Sequence, residues 1–183
     1  MLKNNKHSYG WISIGIHWLM AIAIIYMFGL GLYMVELTYY DAWYRGSLDL
    51  HKSLGMVLLA LLLFRRIWQA LNTTPNALTA AKWQQVSATI MHHGLYMIML
   101  FLMVSGYLIS TADGRAIIVF DLIHIPALPW SINHQEDIAG DIHALLAWLL
   151  ISMVVLHAFA AIKHHFIDKD RSLVRMLKVD TSH

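Results

Sequence analysis

The chain contains no cysteine. That absence removes disulfides, thiolate metal sites, iron–sulfur clusters and covalently attached haem. Charge is also scarce. Only 13% of the 183 residues are Asp, Glu, Lys or Arg, whereas a soluble domain carries about 25%. Hydrophobic residues make up 58% instead, so water is not expected to be the chain's only solvent. One polar residue type is abundant: there are 12 histidines. The net charge of +2 says little until the charges are placed along the chain.

A membrane-crossing helix needs about 20 mostly apolar residues. Four stretches qualify, at about 11–35, 50–68, 86–111 and 142–162. The second is free of charge only from Ser53 to Phe64, so Lys52, Arg65 and Arg66 must snorkel toward its ends. The expectation is an all-α integral membrane four-helix bundle, with residues 1–183 as a single transmembrane domain. The segments outside the spans divide by charge. The N-terminus, the loop after the second span and the C-terminal tail hold ten Lys and Arg, whereas the other two loops hold only Arg45, Lys52 and Arg115. By the positive-inside rule both termini face the cytoplasm. Lys3 and Lys6 would suit a signal peptide, but the apolar run after them is too long and no small-x-small site ends it. No repeat or low-complexity tract is present. The long loop over 112–137 contains Pro126 and Pro129, which oppose a continuous helix, so it reads as a segment lying on the outer membrane face.

An ionisable residue inside a span is costly and is a functional hypothesis by default. His17, His51, His143 and His157, with the pair His92/His93, lie in the spans. The plain reading of one such histidine is a neutral ring bonded to a neighbouring helix. The arrangement argues otherwise. His143 and His157 are 14 residues apart on the fourth span, which returns to nearly the same face about 21 Å further along. His51 follows Asp49 in "DLH" and His143 follows Asp141 in "DIH", both at the outer start of a span. His17 and His157 lie at similar depth from the inner surface. The four form two level pairs, His51 with His143 and His17 with His157. Two neutral imidazoles facing each other suit a six-coordinate haem iron. Zinc would need further carboxylate or cysteine ligands beside each pair. Gly15, Gly29, Gly31 and Gly55 offer room for a flat ring, although glycine in spans also serves plain helix packing. Arg65 and Arg66 inside, and Lys52 and Arg45 outside, are cations available to haem propionates. The positive-inside bias accounts equally well for the two arginines.

The segments "ISIGIHWLM", "LDLHKSLGMVLLALLLFRRIW", "HHGLYMIMLFLMVSGYL" and "DIHALLAWLLISMVVLHAFAAIKHHFIDKDRSLVRML" resemble, in order, the bacterial cytochrome b561 family. The resemblance implies a bacterial inner-membrane bundle with two non-covalent b-type haems, each held by two histidines. Carried over, the ligands are His17, His51, His143 and His157. It further implies one-electron exchange with membrane quinone, and in one member type the oxidation of superoxide. The outer side carries three cations against eight carboxylates, a balance of −5, which is a poor mouth for an anion.

His164 and His165 stand just beyond the inner end of the fourth span. His164 shares the face of His157, two turns on. It is the candidate to bond a quinone carbonyl and pass a proton, with His92 and His93 as rivals or helpers. A polar collar is the plain reading for His165. His7, His124, His134 and His183 read as surface residues. The sequence thus points to a di-haem electron carrier between the quinone pool and a periplasmic-side donor or acceptor. Superoxide:ubiquinone oxidoreductase and the haem-bearing anchor subunit of a larger dehydrogenase are the alternatives. A haem-free transporter would carry inverted repeats and broken helices. Expected partners are membrane lipid, quinone and a periplasmic redox protein or small-molecule donor; nucleic acid is not among them.

Overall fold

A computed structural model describes residues 1–76, 78, 81–130 and 132–179; His183 lies outside the described residues. Most of the chain forms four long helices: α1 (Trp11–Val35), α2 (Tyr44–Leu71), α3 (Lys82–Ser110) and α4 (Gln135–Phe166). Between α3 and α4 run two short strands, β1 (Ile117–Val119) and β2 (Ile123–Ile125), and α5 (Ser172–Arg175) follows α4. Each of the four long helices is long and apolar enough to cross a membrane.

Their surfaces are those of lipid-facing helices. Ile22, Leu145 and Leu156 are 66%, 68% and 59% exposed. In water such faces would be a liability of about 25 cal/mol per Å²; beside lipid tails they are at home. What a bilayer does not tolerate is an unpaired backbone group, and a helix pairs its own. Buried hydroxyls follow the same rule. Ser47 and Ser105 donate to the carbonyls of Tyr44 and Leu102 on their own helices at 2.9 and 2.8 Å, and Thr111, just past α3, donates to Tyr107 O at 2.8 Å. At the start of α4, Glu136 and Asp137 occupy the first turn, and Lys163, His164 and His165 the last. Both placements complement the helix dipole.

The helical residues divide between two compact units. The first comprises Met1–Ala21, Leu61–Tyr96 and Ser152–His183, and the second Ile22–Ala60 and Met97–Ile151. In the first, Ile14, Met20 and Leu62 are buried. Residues ahead of α1 fold back on its start: Asn4 Oδ1 accepts from the Gly10 N–H at 2.9 Å and from the Ser13 hydroxyl at 2.7 Å. Gly10 is needed there, because a Cβ would strike the backbone of Leu2 and Lys3. The C-terminal segment is tied down by Trp18 Nε1, which donates to Met176 O at 2.6 Å, and by Arg175, which donates to Asn76 O at 2.7 Å.

In the second unit the core is Leu30, Leu58, Met99, Ile117, Val119, Ala139 and Leu150. The segment after α3, where Pro126 and Pro129 oppose a continuous helix, contains an antiparallel hairpin pairing Ile117 with Ile125 and Val119 with Ile123. The physical reason is the β-branched run, which buries Ile117 and Val119 and leaves Ile118 exposed in alternation. The turn places Phe120 and Asp121 at φ 50° and 58°, an unusual backbone for residues with a Cβ. A hydrogen bond from the Phe120 N–H to the buried Ser53 hydroxyl, at 3.1 Å, ties this turn to α2.

Candidate functional site

In the second unit, α2 presents His51 and α4 presents His143. Their ring centroids are 6.2 Å apart and their planes meet at 69°. A metal-bound imidazole nitrogen lies about 2.0–2.1 Å from its metal, so two rings opposed across one ion stand about 6.3 Å apart. His143 Nδ1 is 3.0 Å from Leu102 O and 3.1 Å from Ser105 Oγ. A carbonyl can only accept, so Nδ1 carries the hydrogen and Nε2 keeps its lone pair. That is the tautomer in which a histidine ligates through Nε2. Among the described residues the buried His51 Nδ1 has no hydrogen-bond partner. Both rings lie against glycine. A Cβ on Gly106 would come 3.0 Å from His143 Cε1, and one on Gly31 would come 3.5 Å from His51 Cε1. Gly55 faces Met27 instead, and a Cβ on Gly15 or Gly29 would meet nothing within 4 Å. Sequence reasoning named Gly31 but not Gly106 or Ser105. Their small size in "VSGYL" was the available signal, and only packing shows what they touch.

In the first unit, α1 presents His17 and α4 presents His157, with centroids 6.4 Å apart and planes at 72°. His92, from α3, has its ring 5.3 Å from that of His157, too close to stand across an ion from it. His93 is exposed and its Nδ1 meets Thr89 O on its own helix at 2.8 Å. Arg65 donates to His17 Nδ1 at 3.0 Å and, through Nε, to the Tyr96 hydroxyl at 2.8 Å. Gln69 donates to the same hydroxyl at 2.8 Å, and the Arg66 guanidinium lies 4.6 Å from the Tyr96 ring centroid, a cation–π contact. Tyr96 thus gathers three residues of α2 and was not singled out in the sequence. Burial pushes the nearby Tyr9 phenol above its ordinary value, against the pull of Arg175 and Arg65.

Two regions flank these pairs. Beside His51, a cavity of about 460 Å³ is lined in part by Asp49, Lys52, Ser53, Arg115, Phe120 and Asp121. Arg115 is already paired with Asp113. Beyond His157, His164 Nδ1 lies 2.6 Å from Asp168 Oδ2, and Lys163 Nζ lies 2.6 Å from the same oxygen. The hydrogen bond from Lys163 holds the Asp168 carboxyl below the usual carboxylate range, so it remains ionised when pH falls through the ordinary value of about 4. His165 packs its ring on Phe166 at 4.7 Å. His7, His124 and His134 are exposed.

Four apolar helices carrying two pairs of facing imidazoles fit the class of membrane cytochromes b. Residues 8–178 match the prokaryotic cytochrome b561 family, and the chain belongs to it. It is 43% identical over 180 residues to cytochrome b561 homolog 2 of Escherichia coli (strain K12), across 98% of this chain and 96% of that protein. It is 29% identical over 178 residues to the "Probable superoxide oxidase CybB" of Yersinia pestis, across 92% and 95% respectively. Cytochrome b561 homolog 1 of Escherichia coli is 26% identical over 167 residues. The protein is therefore an inner-membrane electron carrier, and its family implies haem b.

Tyr96→Phe removes the hydroxyl shared by Arg65 and Gln69 but keeps the ring under Arg66. It should destabilise the protein by about 1–3 kcal/mol, read as a lower melting temperature in detergent.

Proposed function

We propose that the chain holds two haems b, one between His51 and His143 and one between His17 and His157, and exchanges electrons between quinone at the inner side and a redox partner at the periplasmic side. The observation that carries this is the centroid spacing of 6.2 and 6.4 Å in two separate pairs of neutral nitrogen donors. When bound, haem supplies reversible one-electron chemistry at iron. The protein supplies the axial nitrogens, their orientation and a dry surround.

At the outer pair His143 is already in the ligating tautomer. At the inner pair the arrangement differs. A guanidinium can only donate, so His17 Nδ1 accepts from Arg65 and a neutral ring carries its hydrogen on Nε2. Were Nε2 to hold a haem iron, that hydrogen would have to move to Nδ1 and Arg65 would give up the ring, which would leave its guanidinium, with Arg66 held nearby on Tyr96, for a propionate carboxylate. Lys52 is the corresponding cation on α2 beside His51, at the rim of the outer cavity. Ten cations flank the inner ends of the spans and three the outer, which supports both termini on the cytoplasmic side. A reporter fused to the C-terminus should be active only as a cytoplasmic enzyme; periplasmic activity would reverse the assignment.

The name of the Yersinia pestis relative raises superoxide as a donor. The outer cavity sets Asp49 and Asp121 beside Lys52, and its Arg115 is neutralised by Asp113. That balance gives no positive funnel for an anion, so the broader carrier reading is preferred. Stopped-flow reduction by a superoxide pulse distinguishes the two.

Haem analysis of purified protein should give about two haems b per chain, both six-coordinate and low-spin. His17→Ala or His157→Ala should abolish one redox component, and His51→Ala or His143→Ala the other. Gly106→Ala should weaken retention of the component that depends on His143, whereas Gly29→Ala should leave both intact. Loss of the same component in His17→Ala and His51→Ala would break the pairing.

His164 is proposed to pass a proton to or from quinone beside the inner pair. His164→Ala should preserve both haem spectra and slow electron exchange with short-chain ubiquinone by roughly 10²-fold. An unchanged rate would return His164 to the polar collar.

A further inference from the structure

Beyond His164 the chain turns back on itself. After α4 ends, the N–H groups of Ile167 and Asp168 both return to Lys163 O, at 2.8 and 3.2 Å, and that of Asp170 returns to His164 O at 3.0 Å. Lys169 makes the reversal at φ 54°. Glycine is the usual residue at such a helix end, because a Cβ disfavours the left-handed backbone. A lysine there needs something that holds it.

The reversal has a specific result. It brings Asp170 Oδ2 to 3.7 Å from His164 Nδ1, on top of Asp168, four residues past the histidine, whose Oδ2 lies 2.6 Å from the same atom. The segment is anchored further on by Trp18, next to His17, on Met176 O and by Arg175 on Asn76 O. The two carboxylates have different work. Asp170 Oδ1 accepts from the Ser172 N–H at 2.8 Å and so serves the start of α5. Asp168 is engaged by side chains: both its oxygens accept from Lys163, at 2.9 and 2.6 Å, and Oδ2 also faces His164. His164 is three-quarters buried, with its side chain 25% exposed. Its Nδ1 has no aligned hydrogen bond among the described residues, so a turn of the ring at contact distance completes one.

We infer that Asp168 is a positioning residue for proton exchange at the quinone site. It holds His164 with Nδ1–H toward the carboxylate, so that Nε2 is the nitrogen presented to a quinone oxygen. This rests on the quinone reading above and adds to it the group that sets the imidazole's tautomer and direction. Conversion of one quinone to quinol takes two electrons, arriving singly, and two protons. In each transfer by His164 an Nε2–H bond breaks and an O–H bond forms on the quinone. The ring is left neutral, with its remaining hydrogen on Nδ1 facing Asp168, until inner water returns a proton to Nε2. Oxidation of quinol runs the same exchange backwards. Lys163 keeps the carboxylate from taking the proton itself.

The test uses the full-length, haem-loaded protein in detergent, with short-chain ubiquinone as oxidant of the pre-reduced cytochrome. Asp168→Asn should leave haem content and spectra unchanged and lower kcat roughly tenfold, the worth of one hydrogen bond to a charged group, with little change in KM. Asp168→Glu should recover most of the rate. In a His164→Ala background, Asp168→Asn should have no further effect, because its action runs through the missing ring. Imidazole ¹⁵N resonances, with His164 assigned by difference against His164→Ala, should show Nδ1–H in the wild type and lose that preference in Asp168→Asn. A wild-type rate in Asp168→Asn alongside a slow His164→Ala would overturn the inference and spare the quinone reading. The same slowing by Asp168→Asn with and without His164 would reduce Asp168 to a structural role. A wild-type rate in His164→Ala would remove the quinone reading itself.

Discussion

An imidazole set among apolar side chains has to account for both of its ring nitrogens, and the functional parts of this molecule are arranged around that requirement. His143 meets it within the protein. Its Nδ1 hydrogen is taken by Leu102 O, with Ser105 Oγ alongside, and Nε2 keeps its lone pair. The carbonyl of Leu102 faces the ring although it belongs to a helix, because carbonyls have two lone pairs and can serve a ladder and a side chain together. Gly106 completes the arrangement by having no side chain where the ring lies. One residue's carbonyl acceptor, one residue's hydroxyl and one residue's missing Cβ together determine a single tautomer.

The pair His17 and His157 meets the same requirement with charge. Arg65 approaches His17 directly, and Tyr96 steadies it through a hydroxyl that Gln69 also uses. Near the C-terminal end of α4, His164 has a carboxylate beside its Nδ1 where His143 has a carbonyl. The progression has a physical sense. A neutral carbonyl suits a ring that must remain a ligand, whereas a carboxylate stabilises a ring that gains and loses a proton. Under the function proposed above, the first kind of histidine would hold a haem and the second would exchange protons with quinone.

Lipid changes what counts as stabilising. Large apolar residues such as Leu145 and Ile22 stay at the surface, and the buried positions include Ser47, Ser53 and Ser105 instead. Helices in a bilayer gain little by hiding hydrocarbon from hydrocarbon, so small side chains that admit close approach and satisfy their own hydroxyls take the interior. The hairpin between α3 and α4 obeys the aqueous rule, alternating buried Ile117 and Val119 with exposed Ile118.

The sequence by itself determined the solvent, the four long apolar helices and the family. Run length, scarcity of charge and motif order are local properties that survive without coordinates. It also ranked four histidines by depth, because depth follows from position along a helix of known rise. It did not reveal the roles of Gly106, Ser105, Tyr96 or Asp168. Each acts on a residue distant in sequence or across a chain reversal. Gly106 lies on α3 and its ring on α4; Tyr96 lies on α3 and its arginines on α2; Asp168 stands four residues past His164, beyond the end of α4, where helical spacing alone does not place it. Nor could it separate His92 from His93, neighbours in the chain, of which one ring meets His157 and the other returns to its own helix. Which nitrogen carries a hydrogen depends on what lies within about 3 Å of it, and that distance exists only once the helices have packed.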